Sequence, residues 1–137
     1  MLFAWILNAL ALAFGAVLGL RALMDPQWAS RFVRLKADEQ GGGEAEFRAT
    51  YGGVFLFLHA AALLLTLKWL GGGEYVIGVA ATGAAAVVAA GWGGSALGRA
   101  LAMWRDGVRT KFNLYSACAE AGIALAVGAP WLAWVLG

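Results

Sequence analysis

The sequence is short of charged residues, and this shortage excludes most classes of soluble protein. Only 13% of its 137 residues are charged, while 62% are hydrophobic and the mean hydropathy is +0.75. Soluble domains carry about 25% charged and about 45–50% apolar residues, because their surfaces face water. The composition therefore predicts an integral membrane protein, and the length predicts a single transmembrane domain over residues 1–137.

Several chemical signatures are missing as well. A single cysteine, Cys118, excludes a disulfide framework and a multi-cysteine metal site. The net charge of +2 provides no strong field for nucleic acid, so no nucleic-acid partner is expected. The sequence has no Ser/His/Asp order, no two-histidine metal spacing, no phosphate-binding loop and no paired carboxylates. These absences favour a protein that is not an enzyme.

The sequence does contain hydrophobic runs that are long enough to cross a bilayer. A transmembrane helix needs about 20 mostly apolar residues. The first run places its basic residue, Arg21, after the apolar stretch, which reverses the order of an export signal and predicts a retained helix. Four runs reach this length, at about 1–23, 47–70, 75–104 and 112–136.

The connector at 24–46 is the only long one, and its start predicts a short amphipathic helix in the lipid headgroup layer. Asp25-Pro26 is a strong helix start, and apolar residues recur from Trp28 at the spacing of one helical face. A solvated loop is the alternative. Gly41-Gly42-Gly43 then predicts a flexible hinge before the second run.

The basic residues predict the orientation in the membrane. Every Lys and Arg except Lys68 flanks the first or the third connector. Short loops with such an excess stay in the cytoplasm. We therefore expect a multi-pass protein of the bacterial inner (plasma) membrane, with a cytoplasmic connector at 24–46 and both termini in the periplasm.

Each run carries most of its polar and small residues on one helical face. Lipid cannot satisfy polar groups, so these faces must point at one another, which predicts an all-α, antiparallel four-helix bundle. At a rise of about 1.5 Å per residue, Arg99 and Glu120 reach similar depths and can pair, with hydrogen bonds from Asn113 or Ser116. Such a cluster either fixes helix register or forms a ligand pocket open to the cytoplasm. The pocket residues would be Arg48, Tyr51, Arg99, Asp106, Asn113 and Glu120.

Two further features of the runs leave alternatives open. His59 is a core histidine, a proton relay, or an axial ligand of a haem or chlorophyll, for which one imidazole suffices. Without a second His or Cys on the facing stripes, metal binding is not predicted. Gly15-x-x-x-Gly19 and Gly94-x-x-x-Gly98 predict close helix packing, either within the bundle or at an oligomer interface.

One longer pattern is similar to a known family. Arg48-Ala49-Thr50-Tyr51-Gly52-Gly53, Gly98-Arg99, Asp106-Gly107, Asn113 and Glu120 resemble the hallmarks of short bacterial four-span membrane proteins catalogued as a domain of unknown function. The resemblance covers nearly the whole chain. It implies an inner-membrane location and groups the pocket residues together, but it implies no activity. A looser likeness to quinone-oxidoreductase-like and sterol-enzyme scaffolds rests on architecture, which does not determine function.

Three functions follow as alternatives. The small-residue faces favour a non-catalytic accessory or scaffold subunit, whose partners are the lipid bilayer and other membrane subunits or further copies of the chain. The second is a binder or carrier of a small amphipathic or anionic ligand, with Arg48 and Arg99 facing its headgroup. The third is a membrane enzyme with His59 or Glu120 as acid or base. No cofactor besides the haem or chlorophyll alternative is predicted.

Overall fold

The computed structural model describes residues 1–37 and 40–136, and within these ranges the chain is helical with no β-strand. Asp38 and Glu39 of the predicted connector, and the final Gly137, lie outside the described residues. The α-helices are α1 (Leu2–Met24), α2 (Pro26–Val33), α3 (Gly42–Glu46), α4 (Phe55–Leu70), α5 (Tyr75–Arg105) and α6 (Lys111–Leu136). A π-helix, Phe47–Val54, joins α3 to α4.

Within the residues that the structure describes, four helical stretches are long and apolar enough to span a membrane. They are Leu2–Met24, Gly42–Leu70, Tyr75–Arg105 and Lys111–Leu136. The protein is therefore a multi-pass membrane protein in contact with a lipid bilayer, and the all-α prediction with four spans is confirmed. The predicted spans agree with these helices except at the start of the second.

The second span begins earlier than predicted, because the helix already starts at Gly42 rather than at 47. Gly41 precedes it with a φ of 82°, a backbone conformation that glycine adopts without steric cost. Glu44 then lies in the first turn, where a negative charge is favoured by the helix dipole. The predicted glycine hinge at 41–43 is therefore wrong for Gly42 and Gly43, which are helical.

The amphipathic helix predicted between the first two spans is present as α2. Asp25 caps its start by accepting a hydrogen bond from the Trp28 backbone N–H at 2.9 Å, and Pro26 occupies the first turn. Pro26 and Ala29 are buried, while Phe32 is 53% exposed. An apolar ring exposed beside basic residues suits the lipid headgroup layer.

The chain packs as two compact units, and the first is Leu12–Leu64. In this unit α1 runs antiparallel to the second span, since Gly15 lies against His59 and Gly19 lies against Leu56. Later in α1, Leu23 lies against Gly52. Each contact places a glycine where a side chain would collide with the facing helix, so the small residues allow the close approach.

The second unit consists of Met1–Ala11 and the chain from Leu65 onward. Asn8 is fully buried there; its side-chain amide donates to the Val127 carbonyl oxygen at 2.5 Å, and its oxygen accepts from the Thr66 hydroxyl at 2.8 Å. Trp5 packs against Trp69, with ring centroids 6.1 Å apart. Two polar side chains and one backbone carbonyl, from three helices, thus satisfy one another, as expected where lipid offers no hydrogen bonds.

Candidate functional site

The clearest charged site is the ion pair between α5 and α6. The Arg99 Nη2 donates to Glu120 Oε1 at 2.7 Å, and Arg99 Nε donates to Glu120 Oε2 at 3.1 Å. Two parallel bonds of this kind add geometric specificity to the charge attraction. The side chains are 29% and 12% exposed, so the pair is largely shielded by the protein. The predicted Arg99–Glu120 pair therefore forms, and it holds two antiparallel helices in register.

Asn113 and Asp106 contribute to the α5–α6 connector. The Asn113 side-chain amide donates to the Val108 carbonyl oxygen at 2.8 Å, and its backbone N–H donates to the Thr110 hydroxyl at 3.1 Å. The predicted hydrogen bond from Asn113 to the ion pair is therefore wrong. The reason is local: the connector leaves a carbonyl without a helical partner, and the nearby amide satisfies it. Asp106 ends α5 and is exposed.

Arg48 acts on the end of α1 in the Leu12–Leu64 unit. Its Nη1 donates to the carbonyl oxygen of Leu23 and to that of Met24, the latter at 3.4 Å. The last carbonyls of a helix have no partner within the helix, and a positive charge there is favoured by the dipole. Arg48 therefore caps α1 from the second span, a role that its position in the sequence does not reveal.

The Arg48–Gly53 pattern lies within the π-helix, a rare conformation that is frequent at functional sites. Phe47 is buried, its ring lies 5.5 Å from that of Tyr51, and both pack against Ala22 and Ala29. A Cβ on Gly52 would lie 2.6 Å from the Cα of Leu23, so this glycine is required. The motif thus docks the start of the second span onto the end of α1 and onto α2.

His59 is enclosed in the same unit, with 2% of its surface exposed. Its Nδ1 lies 2.7 Å from the Phe55 carbonyl oxygen, so Nδ1 carries the proton and donates. The ring centroids of His59 and Phe55 are 4.3 Å apart, and Gly15 lies against the imidazole. This environment favours a core histidine. Ligation of a haem or chlorophyll would require α1 to move away from the ring, and it stays a prediction that an absorption spectrum tests.

The predicted site residues are distributed over both units. Arg48, Tyr51 and His59 belong to the Leu12–Leu64 unit, and the other four belong to the second unit. Their described contacts are structural ones: a helix cap, ring packing, a connector bond and an ion pair. A single ligand pocket built from all of them stays a prediction. Among residues 1–37 and 40–136, no group of three His, Cys, Asp or Glu could hold a metal ion.

The glycines fall into two environments that the sequence does not distinguish. Gly15 and Gly19 are covered by the second span, as the small-residue motif predicts. Gly94 and Gly98 are exposed, and apart from the adjoining backbone of their own helix no described atom lies within 4 Å of where their Cβ atoms would be. The second motif therefore does not mediate packing within the described chain.

No protein-family model, curated protein or solved structure matches this chain. The resemblance to the bacterial four-span family stays a prediction that rests on the motif residues.

Proposed function

We propose that this chain is a non-catalytic accessory subunit of a larger membrane complex and that it binds a neighbouring subunit through one face of α5. The observation that carries the proposal is the open glycine face, defined as Gly83, Gly91, Gly94 and Gly98. Apart from the adjoining backbone of α5 itself, no described atom lies within 4 Å of a Cβ position on this face. At about 100° per residue, these glycines fall within about 80° of the helix circumference.

The open glycine face lies on the side of α5 opposite its buried residues. Those buried residues are Gly78, Ala81, Ala85, Val88 and Ala96. In a membrane, small residues let helix backbones approach closely, and the resulting van der Waals packing drives association because lipid supplies no hydrophobic force. Gly15 and Gly19 serve this purpose within the chain. The same chemistry on the open face of α5 supports a helix of another subunit as its partner.

The contacts of the charged residues support a non-catalytic role. Arg99 and Glu120 satisfy each other through two hydrogen bonds, and Arg48 is bound to α1 carbonyls. A catalytic acid or a ligand-binding cation needs donors or acceptors that remain available to the substrate. The ion pair is better suited to holding α5 straight against α6, so that α5 presents a rigid face.

Substituting the open glycine face tests the proposed interface. We expect Gly94→Ile to release most of the chain from the complex, because a branched side chain keeps the partner backbone away. Blue-native electrophoresis of membranes in a mild detergent measures the shift toward the 14.3 kDa monomer. The matched control is Gly122→Ile, since Gly122 on α6 is equally open. A wild-type chain that migrates as a monomer, or equal release by Gly122→Ile, would contradict the interface.

We further propose that the complex lies in a bacterial inner membrane, with both termini in the periplasm and the basic connectors in the cytoplasm. Cysteine labelling in a Cys118→Ser background tests this. We expect a membrane-impermeant maleimide to label Glu74→Cys, between α4 and α5, in intact spheroplasts. Val108→Cys, between α5 and α6, should react only after the membrane is opened. Both positions are exposed, so their intrinsic accessibility is matched. The reverse pattern would overturn the orientation.

A further inference from the structure

An open groove of about 420 Å³ lies at the end of the α5–α6 pair, beside the connector. Its apolar lining residues include Ala100, Met103 and Leu114, which we call the floor. Two cations, Arg109 and Lys111, also line it, and we call them the rim. The groove therefore combines an apolar surface with positive charge, which is complementary to an amphipathic anion.

The two cations on the rim are available to a ligand. Arg109 Nε donates to the Met103 carbonyl oxygen at 3.1 Å, which orients the guanidinium across the end of α5. Its two terminal nitrogens, and the Lys111 ammonium, make no hydrogen bond or ion pair within the part of the chain that the structure describes. Both cations are exposed and can therefore pair with an anion from outside the chain.

The groove lies at the ends of two helices that are membrane spans. Met103 and Trp104 lie in the last turns of α5, Leu114 lies in the first turn of α6, and both helices are membrane spans. Trp104 lines the groove and is 74% exposed, as is typical of tryptophan at the level of lipid headgroups. Arg109 and Lys111 follow Trp104 in the sequence, in the connector and at the start of α6.

We propose that this groove binds an anionic phospholipid. Its headgroup phosphate contacts Arg109 and Lys111, and one acyl chain lies along Ala100, Met103 and Leu114. Basic pockets between membrane helices on the cytoplasmic side bind anionic lipid headgroups in this way. A free phosphate would use only the rim and leave the apolar floor uncovered, so the shape and charge of the groove favour the lipid. This site is independent of the open glycine face and of the proposed complex.

Native mass spectrometry of the purified protein, titrated with dioleoyl phosphatidylglycerol or dioleoyl phosphatidylcholine, tests the site. We expect phosphatidylglycerol to bind more tightly than phosphatidylcholine. The double variant Arg109→Gln with Lys111→Gln should weaken phosphatidylglycerol binding about 30-fold. This is the effect expected when two basic residues near a membrane surface lose their charge. The matched control, Arg31→Gln with Lys36→Gln, removes the same net charge from exposed positions of the first connector and should bind as the wild type does.

Two further measurements distinguish binding of a whole lipid from binding of phosphate alone. Inorganic phosphate at millimolar concentration should not displace phosphatidylglycerol. Ala100→Phe fills the groove without changing charge and should weaken lipid binding on a protein whose circular dichroism is unchanged. The proposal is overturned if phosphatidylcholine binds equally well, if phosphate displaces the lipid, or if the control pair weakens binding as much as the groove pair.

Discussion

Gly19→Ala is expected to destabilise the protein by about 1–3 kcal/mol, the typical cost of overpacking a well-packed interior. The Cβ of alanine would lie 2.4 Å from the backbone nitrogen of Leu56 and 2.7 Å from its Cα. These are backbone atoms of the facing helix, so no side-chain rotation relieves the collision. The two helices must separate, and the neighbouring contact between Gly15 and His59 is lost with them.

The expected sign of the Gly19→Ala effect on stability is opposite to the sign expected without a collision. In an uncrowded helix, glycine is less favourable than alanine by roughly 0.5–1 kcal/mol, so a substitution without a collision should stabilise. Gly122→Ala on α6 is the control, because no described atom outside the adjoining backbone of α6 lies within 4 Å of its Cβ position. Reversible unfolding in mixed detergent micelles measures both free energies. Equal stabilities for the two variants would show that α1 does not pack this closely on the second span.

Glu120→Leu is expected to cost about 2.5–3.5 kcal/mol, the insertion penalty of a lone charge within a membrane helix. The substitution removes both acceptors of the Arg99 guanidinium and leaves its charge without a partner. Replacing both residues, as in Arg99→Met with Glu120→Leu, should recover most of the loss. Exchanging a buried ion pair for apolar residues of similar volume is often neutral or stabilising, whereas breaking one is not.

The double-mutant cycle built from these variants isolates the pairwise free energy. Unfolding free energies of the wild type, the two single variants and the double variant are required. Glu74→Leu is the matched control, since Glu74 is exposed and is the residue that precedes α5. It should change stability by less than about 0.5 kcal/mol. Additive single effects, with no recovery in the double variant, would mean that the Arg99–Glu120 pair does not bind the two helices together.

The local features of this fold were predictable because they depend on short stretches of sequence. The length of each apolar run predicts a span, and Asp25-Pro26 predicts the start of α2, since capping involves residues three apart. The Arg99–Glu120 pair was predictable from the facing polar stripes and from depth, because a short connector places the two charges at one level. The Asn113 prediction failed because Asn113 lies about 10 Å before Glu120 along α6, so its amide reaches the connector carbonyl of Val108 instead.

Only the tertiary structure shows which of two equivalent glycine motifs packs against another helix of the chain. Gly15-x-x-x-Gly19 and Gly94-x-x-x-Gly98 are equivalent as sequence motifs, yet one pair is covered by a helix and the other is open. Likewise, only the folded chain brings Arg48 to the carbonyls that end α1. Hydrophobicity and helical periodicity depend on residues that are close together in the sequence. The amino-acid sequence by itself therefore determined the membrane spans. Close packing depends on residues distant along the chain, and so it needed the coordinates.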